Sequence, residues 1–127
     1  MLDLRSDLPP IVLRCNRTSL AHAFQEIFLN GLQSSHGDPR LAVSVNAAAT
    51  ADGKAELVIE VRDTGGGFAP EAAGRATEPF YTTRNTGVGL GLTIARRVIE
   101  AHQGRLDVLS RHAPSDPDII IHLPIPR

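Results

Sequence analysis

The sequence predicts a layered α/β domain, a sheet with long helices packed on it. Two long helix-period stretches are set among five short runs with strand-like alternation. The 127 residues suit one compact domain with a single core. Ile11 to Arg14 reads as a short strand, because Pro9 and Pro10 forbid a helix there. Asn16, Thr18 or Ser19 then offers an N-cap for a helix over roughly Ser19 to Ser35. In that helix Leu20, Ala23, Phe24, Ile27 and Leu32 recur at helical spacing, until Gly37 and Pro39 end the pattern. Leu41, Val43 and Val45 alternate with smaller or polar residues, as do Leu57, Ile59 and Val61. The Asp52-Gly53 pair between them predicts a hairpin. From Leu92 to His102 a second helix places Leu92, Ala95, Val98 and Ile99 on one face, with Gly104 as its C-terminal stop. Leu106–Leu109 and Ile119–Leu123 complete the strands.

Composition narrows the functions. Only five aromatics and 42% apolar residues imply a core of Leu, Ile, Val and Ala. A net charge of −1, from 13 basic and 14 acidic residues, supplies no field for a polyanion, so nucleic acid is not expected as a partner. Cys15 is the one cysteine and has no internal disulfide partner, and no apolar run approaches the ~20 residues that span a bilayer. The start, MLDLRSDLPP, lacks the apolar centre of a signal peptide. A cytoplasmic location without direct membrane contact is expected, although a parent protein could still be membrane-anchored.

Four segments carry chemistry. The hairpin's second strand runs into Asp63-Thr64-Gly65-Gly66-Gly67-Phe68, where a carboxylate beside a tight glycine turn can accept a hydrogen bond from the 6-amino group of adenine. Taken alone, this is equally a strand-ending turn that Asp caps. Thr86-Gly87-Val88-Gly89-Leu90-Gly91-Leu92 opens the second helix, whose free N–H groups and dipole favour phosphate. It is neither a P-loop nor a dinucleotide fingerprint, and alone it also reads as a flexible linker. Between them Glu78-Pro79-Phe80-Tyr81-Thr82-Thr83-Arg84 suits a lid, with Phe80 as anchor and Arg84 reaching toward phosphate, or a plain surface turn plugged by Phe80. On the first helix Glu26 and Asn30 share a face and can hold Mg²⁺ and a water, although an arbitrary E-x-x-x-N pair is more often merely solvated.

In order, E-x-x-x-N-G, DTGGGF, EPFYTTR and GVGLGL with TIARRVIEAHQGRL resemble the asparagine, first glycine, phenylalanine and second glycine boxes of sensor histidine kinases. The likeness is to their catalytic ATP-binding domain, of the gyrase, heat-shock chaperone, histidine kinase and mismatch-repair superfamily. It runs from about Pro10 to Pro124 and is nearest to nitrogen-regulation-type kinases. It implies an α+β two-layer sandwich of the Bergerat type, a mixed, mainly antiparallel sheet with about three helices on one face. It further implies that Asn30 coordinates Mg²⁺, that Asp63 binds the adenine amino group and that Gly65 and Gly67 shape the base pocket. Gly87, Val88, Gly89, Leu90 and Gly91 would wrap the phosphates of ATP, with Phe80, Thr82 and Thr83 in the lid over the nucleotide. Glu26 and Arg84 are the implied catalytic pair. Two positions depart from the common pattern. Glu26 stands where many such kinases carry Asn, so it can act as a general base on water or on a histidine. Val88 replaces a frequent Thr or Ser, removing a hydroxyl contact to phosphate.

A phosphoacceptor His followed by an acidic residue and a nearby proline is missing, since His22, His36, His102, His112 and His122 all lack that context. Surface or structural roles are expected for these five. The chain is thus expected to be a catalytic domain, monomeric alone, that serves a dimerising phosphoacceptor domain of the same parent protein and, through it, a response regulator. The parent would be a homodimer. Phosphoryl donation to that histidine is the leading expectation. ATP hydrolysis, serine-kinase activity or a non-catalytic nucleotide-binding module are the alternatives.

Overall fold

A computed structural model describes residues 2–6, 11–34, 41–63, 91–109 and 117–126, for 2–6, 31–34 and 63 the backbone alone. In chain order the elements are β1 (Leu2–Ser6), α1 (Arg17–Ser34), β2 (Leu41–Ala49), β3 (Ala55–Asp63), α2 (Gly91–Ala101), β4 (Arg105–Val108) and β5 (Ile119–Pro124). The strands form one sheet in the order β1-β2-β3-β5-β4. β1 pairs with β2 in parallel, and the other three pairs are antiparallel, as the mixed sheet required.

Strand alternation builds the core directly. Val43, Val61 and Ile119 lie in one cross-strand row, and Val45, Ile59, Ile121 and Leu106 in the next. Of these seven, all but Val45 are buried. Both helices cover that face: α1 packs on β2 and β3, and α2 packs on α1 and β4. The described residues thus contain two of the three helices expected. α1 contributes Leu20, Ala23 and Ile27, while α2 contributes Leu92, Ala95 and Ile99. Each large aliphatic buried here stabilises the fold by about 1.5–3 kcal/mol. Ala23 and Ala95 are both wholly buried, and their small side chains let the helices approach closely. Phe24 and Phe28 flank the stripe as a tilted pair with ring centroids 5.9 Å apart.

One strand was misplaced by the sequence reading. Ile11 to Arg14 forms no strand, and the edge position beside β2 belongs to Leu2–Ser6. Both stretches alternate, but the free edge of β2 accepts only one of them. Ile11 and Leu13 instead pack against the core as part of the irregular lead into α1. The hairpin is as expected: Gly53 adopts φ 81°, and its N–H donates to the Thr50 carbonyl at 2.9 Å. In the same turn the Asp52 carboxylate accepts from the Thr50 hydroxyl and the Lys54 N–H. The Thr50 hydroxyl first, then the Lys54 amide, holds its pKa below the usual carboxylate range.

The end of α2 has a geometry different from that expected. Gln103, not Gly104, is the left-handed residue, at φ 59°. Its N–H donates to the Glu100 carbonyl at 3.0 Å and that of Gly104 to the Ile99 carbonyl at 2.9 Å, the two bonds of a Schellman cap. Gly104 serves another need. A Cβ there would lie 2.4 Å from the His122 carbonyl oxygen and 2.9 Å from side-chain atoms of Ile99 and Leu123. The glycine is what lets the chain leave α2 directly against β5.

On the opposite face of the sheet, Arg105 donates to Asp107 at 2.9 Å and to His122 Nε2 at 3.0 Å. Arginine only donates, so Nε2 accepts and Nδ1 carries the hydrogen given to Glu56 at 3.0 Å. This chain staples β4, β5 and β3. Among the described residues no helix is long and apolar enough to cross a membrane.

Candidate functional site

The site is built where α1 passes the start of α2. Asn16 caps α1, its Oδ1 accepting the Ser19 N–H at 3.0 Å, so the helix begins in the phase that puts Leu20, Ala23 and Ile27 on the sheet. Glu26 precedes the buried Ile27 and borders that stripe, half-buried. Asn30 follows one turn later on the same flank, also half-buried.

Glu26 meets the first residue of α2. A Cβ built on Gly91 would stand 2.7 Å from Glu26 Oε2, so the carboxylate occupies the space that any other residue at 91 would fill. Among the described glycines only Gly53 has a left-handed φ, and the requirement at 91 is therefore one of space. The structure thus brings together a carboxylate from one sequence motif and the last glycine of another, 65 positions apart. A helix N-terminus carries a partial positive charge, so the carboxylate stands beside the positive end of the α2 dipole.

His22 completes the group, and the sequence reading did not assign it there. Its Nε2 lies 3.5 Å from Glu26 Oε1, one helical turn away, with the two side chains 54% and 31% exposed. A pair this exposed contributes only about 0.3–0.5 kcal/mol to stability, and only while the imidazole is protonated. The signal was present as H-x-x-x-E-x-x-x-N, three polar residues at one-turn spacing on α1.

Asp63 ends β3, in register with Leu41 of β2, immediately before the glycine segment. Gly65, Gly67, Phe80, Thr82, Thr83, Arg84, Gly87, Val88, Gly89 and Leu90 lie outside the described residues. Asp118, just before β5, is only 2% exposed; its N–H donates to the Val61 carbonyl at 2.8 Å, beside the end of β3. Among the described residues no group of three or more His, Cys, Asp and Glu side chains could hold a metal unaided. Asn30 is a lone neutral oxygen donor. That fits a magnesium ion drawing its remaining ligands from phosphate and water.

Comparison with known proteins identifies the family and agrees with the fold. Residues 15–127 match the family described as histidine kinase-, DNA gyrase B- and HSP90-like ATPases. A putative NtrY-like sensor histidine kinase of Rickettsia bellii is 36% identical over 97 residues, covering 76% of this chain and 15% of the relative. Sporulation kinase E of Bacillus subtilis is 31% identical over 125 residues, 98% of this chain and 16% of that protein. The chain therefore spans about a sixth of the length of these relatives. Among solved structures, the mycobacterial sensor histidine kinase MprB superposes with a TM-score of 0.73 at 28% identity, over 98% of this chain and 82% of that one. With its sheet, its helix pair and its motif order all in agreement, the chain belongs to the family of histidine kinase-, DNA gyrase B- and HSP90-like ATPases, as a catalytic domain of the histidine kinase type.

Proposed function

We propose that this single domain binds Mg·ATP and donates the γ-phosphate to a histidine on a separate dimerisation domain of its parent protein, in two-component signalling. The observation that carries the proposal is the Glu26 carboxylate seated against Gly91 at the start of α2. A base is thereby held beside a helix N-terminus suited to phosphate. Asp63 accepts the adenine amino group, Gly65 and Gly67 shape the base pocket, and the Gly87–Gly91 segment wraps the phosphates. Asn30 holds the magnesium, which supplies charge neutralisation on the phosphate oxygens when bound. Phe80, Thr82 and Thr83 close over the nucleotide.

In the transfer step an imidazole nitrogen of the acceptor attacks the γ-phosphorus in line. The bond to the β–γ bridging oxygen breaks and ADP departs with its electron pair. The attacking nitrogen is the one without hydrogen; Glu26 accepts the proton that the other ring nitrogen loses as the N–P bond forms, and Arg84 faces the charge on the transferred group. The test mixes the chain with labelled ATP and a separately expressed phosphoacceptor domain. Label should appear on the acceptor, and Glu26→Gln should lower the rate by about 10²-fold or more while nucleotide still binds. Absence of transfer to every acceptor domain from NtrY-like kinases would refute the reading.

One observation favours hydrolysis as a second reading. Glu26 is a carboxylate, with an imidazole 3.5 Å away, and can therefore deprotonate water where an amide could not. Phosphate release without any acceptor, abolished in Glu26→Gln, would establish it.

A further inference from the structure

Near each end of α2 a residue of the α1 segment comes close to it. At one end is the Glu26–Gly91 contact. At the other, the Asn16 backbone N–H donates to His102 Nε2 at 2.9 Å, joining the start of α1 to the end of α2. The helices are therefore antiparallel. From Asn16 to Glu26 is ten residues, or about 15 Å of helix, and from Gly91 to His102 is eleven, or about 16 Å. The two contacts thus span matching lengths, and a slip of α2 along α1 by a single residue, about 1.5 Å, would carry the Asn16 N–H away from His102 Nε2 and move Gly91 relative to Glu26.

His102 is bound on both sides. Its Nδ1 lies 2.7 Å from the Val98 carbonyl, which can only accept, so Nδ1 carries the hydrogen and Nε2 is left with a lone pair for Asn16. The Asn16 N–H is the N-cap's own amide. In a capping box a Glu or Gln three residues on would satisfy it, but that position is Ser19, whose side chain is too short to imitate them. The acceptor comes instead from the other helix. His102 therefore closes a cap on α1 and an end of α2 in one side chain.

We propose that His102 is a positioning residue for phosphoryl transfer: from the far end of α2 it holds the axial register that seats Glu26 against Gly91. The catalytic consequence rests on the reading of Glu26 above, whereas the register itself can be measured without it. In the isotope-labelled wild-type chain, a through-hydrogen-bond coupling should connect the Asn16 amide nitrogen with His102 Nε2. His102→Leu, of comparable bulk but without an acceptor, should displace the Gly91 amide resonance. It should also lower label transfer per bound nucleotide about fivefold, the loss of one net hydrogen bond, with nucleotide affinity within about twofold of wild type. His102→Gln retains an acceptor and should recover most of the rate.

Three results would each overturn the proposal: no coupling in the wild type, an unmoved Gly91 resonance in His102→Leu, or a Gln variant as slow as the Leu variant. A His102→Leu chain too unstable to study leaves the coupling and the Gln variant to decide. If the wild type transfers no label at all, the function reading fails, and the coupling and the Gly91 resonance alone judge the positioning.

Discussion

The two ends of the helix pair use opposite kinds of contact. At the Asn16–His102 end the polar groups have defined partners: the cap amide, both imidazole nitrogens and the carbonyls of Val98, Ile99 and Glu100. At the Glu26–Gly91 end a flexible carboxylate rests against a glycine, with His22 beside it, 54% exposed. One end is locked by hydrogen bonds and backbone packing, the other by steric fit around a side chain that can swing. A base that must meet an incoming nucleophile belongs at the adjustable end, on a scaffold anchored at the other.

Substitutions at the ends should separate these roles. The largest effect is expected for Gly104→Ala, because its Cβ would meet a backbone oxygen at 2.4 Å that cannot yield. A loss of about 3 kcal/mol in a urea melt is expected, with nucleotide affinity of the folded fraction unchanged. Gly91→Ala should behave in reverse. Its Cβ would meet only the mobile tip of Glu26, so unfolding stability should move by under about 1 kcal/mol, while transfer or hydrolysis falls about tenfold as the carboxylate is displaced. If Gly91→Ala instead unfolds the chain, the contrast between the ends is wrong.

Gln103→Gly places the residue suited to a left-handed conformation at φ 59° and should raise stability by about 0.5–1 kcal/mol, read as a higher melting temperature. The smallest effect belongs to the hairpin turn, remote from both ends. Because hydrogen bonds lower the Asp52 pKa, its contribution is complete above the unfolded carboxyl value of about 3.9 and fades as pH falls through the lower folded value. Asp52→Asn should therefore lose that small contribution at every pH above about 3.9, with the difference from wild type shrinking only in the acid range, and leave activity near neutrality untouched.

Much of this was legible in one dimension. The hairpin and α2 have dense, regular periodicity; α2 agrees with the sequence reading to within one residue at each end and β3 to within two, while β2 runs four residues beyond Val45. Asn16 was legible as one of three caps, and the motif order was enough to indicate the family. β1 was not legible, because a five-residue strand with two leucines resembles Ile11 to Arg14, and only the free edge of β2 distinguishes them. Gly104 looked like a helix stop on propensity alone, yet its glycine answers to β5, a strand that begins 15 residues later. His22 and His102 carried no context of their own, since their partners are a carboxylate one turn away and an amide 86 residues distant.

The sequence by itself determined every described element but β1, the apolar faces of those elements and the residue types able to handle a nucleotide, because these follow from local period and side-chain chemistry. Only the tertiary structure decided that Glu26 meets Gly91, that His102 closes the cap of α1 and that Gln103 takes the left-handed turn. Each of those is set by how two elements far apart in the chain fit together, and the burial of Leu20, Ala23, Ile27, Leu92, Ala95 and Ile99 over one sheet face is what brings the two helices side by side.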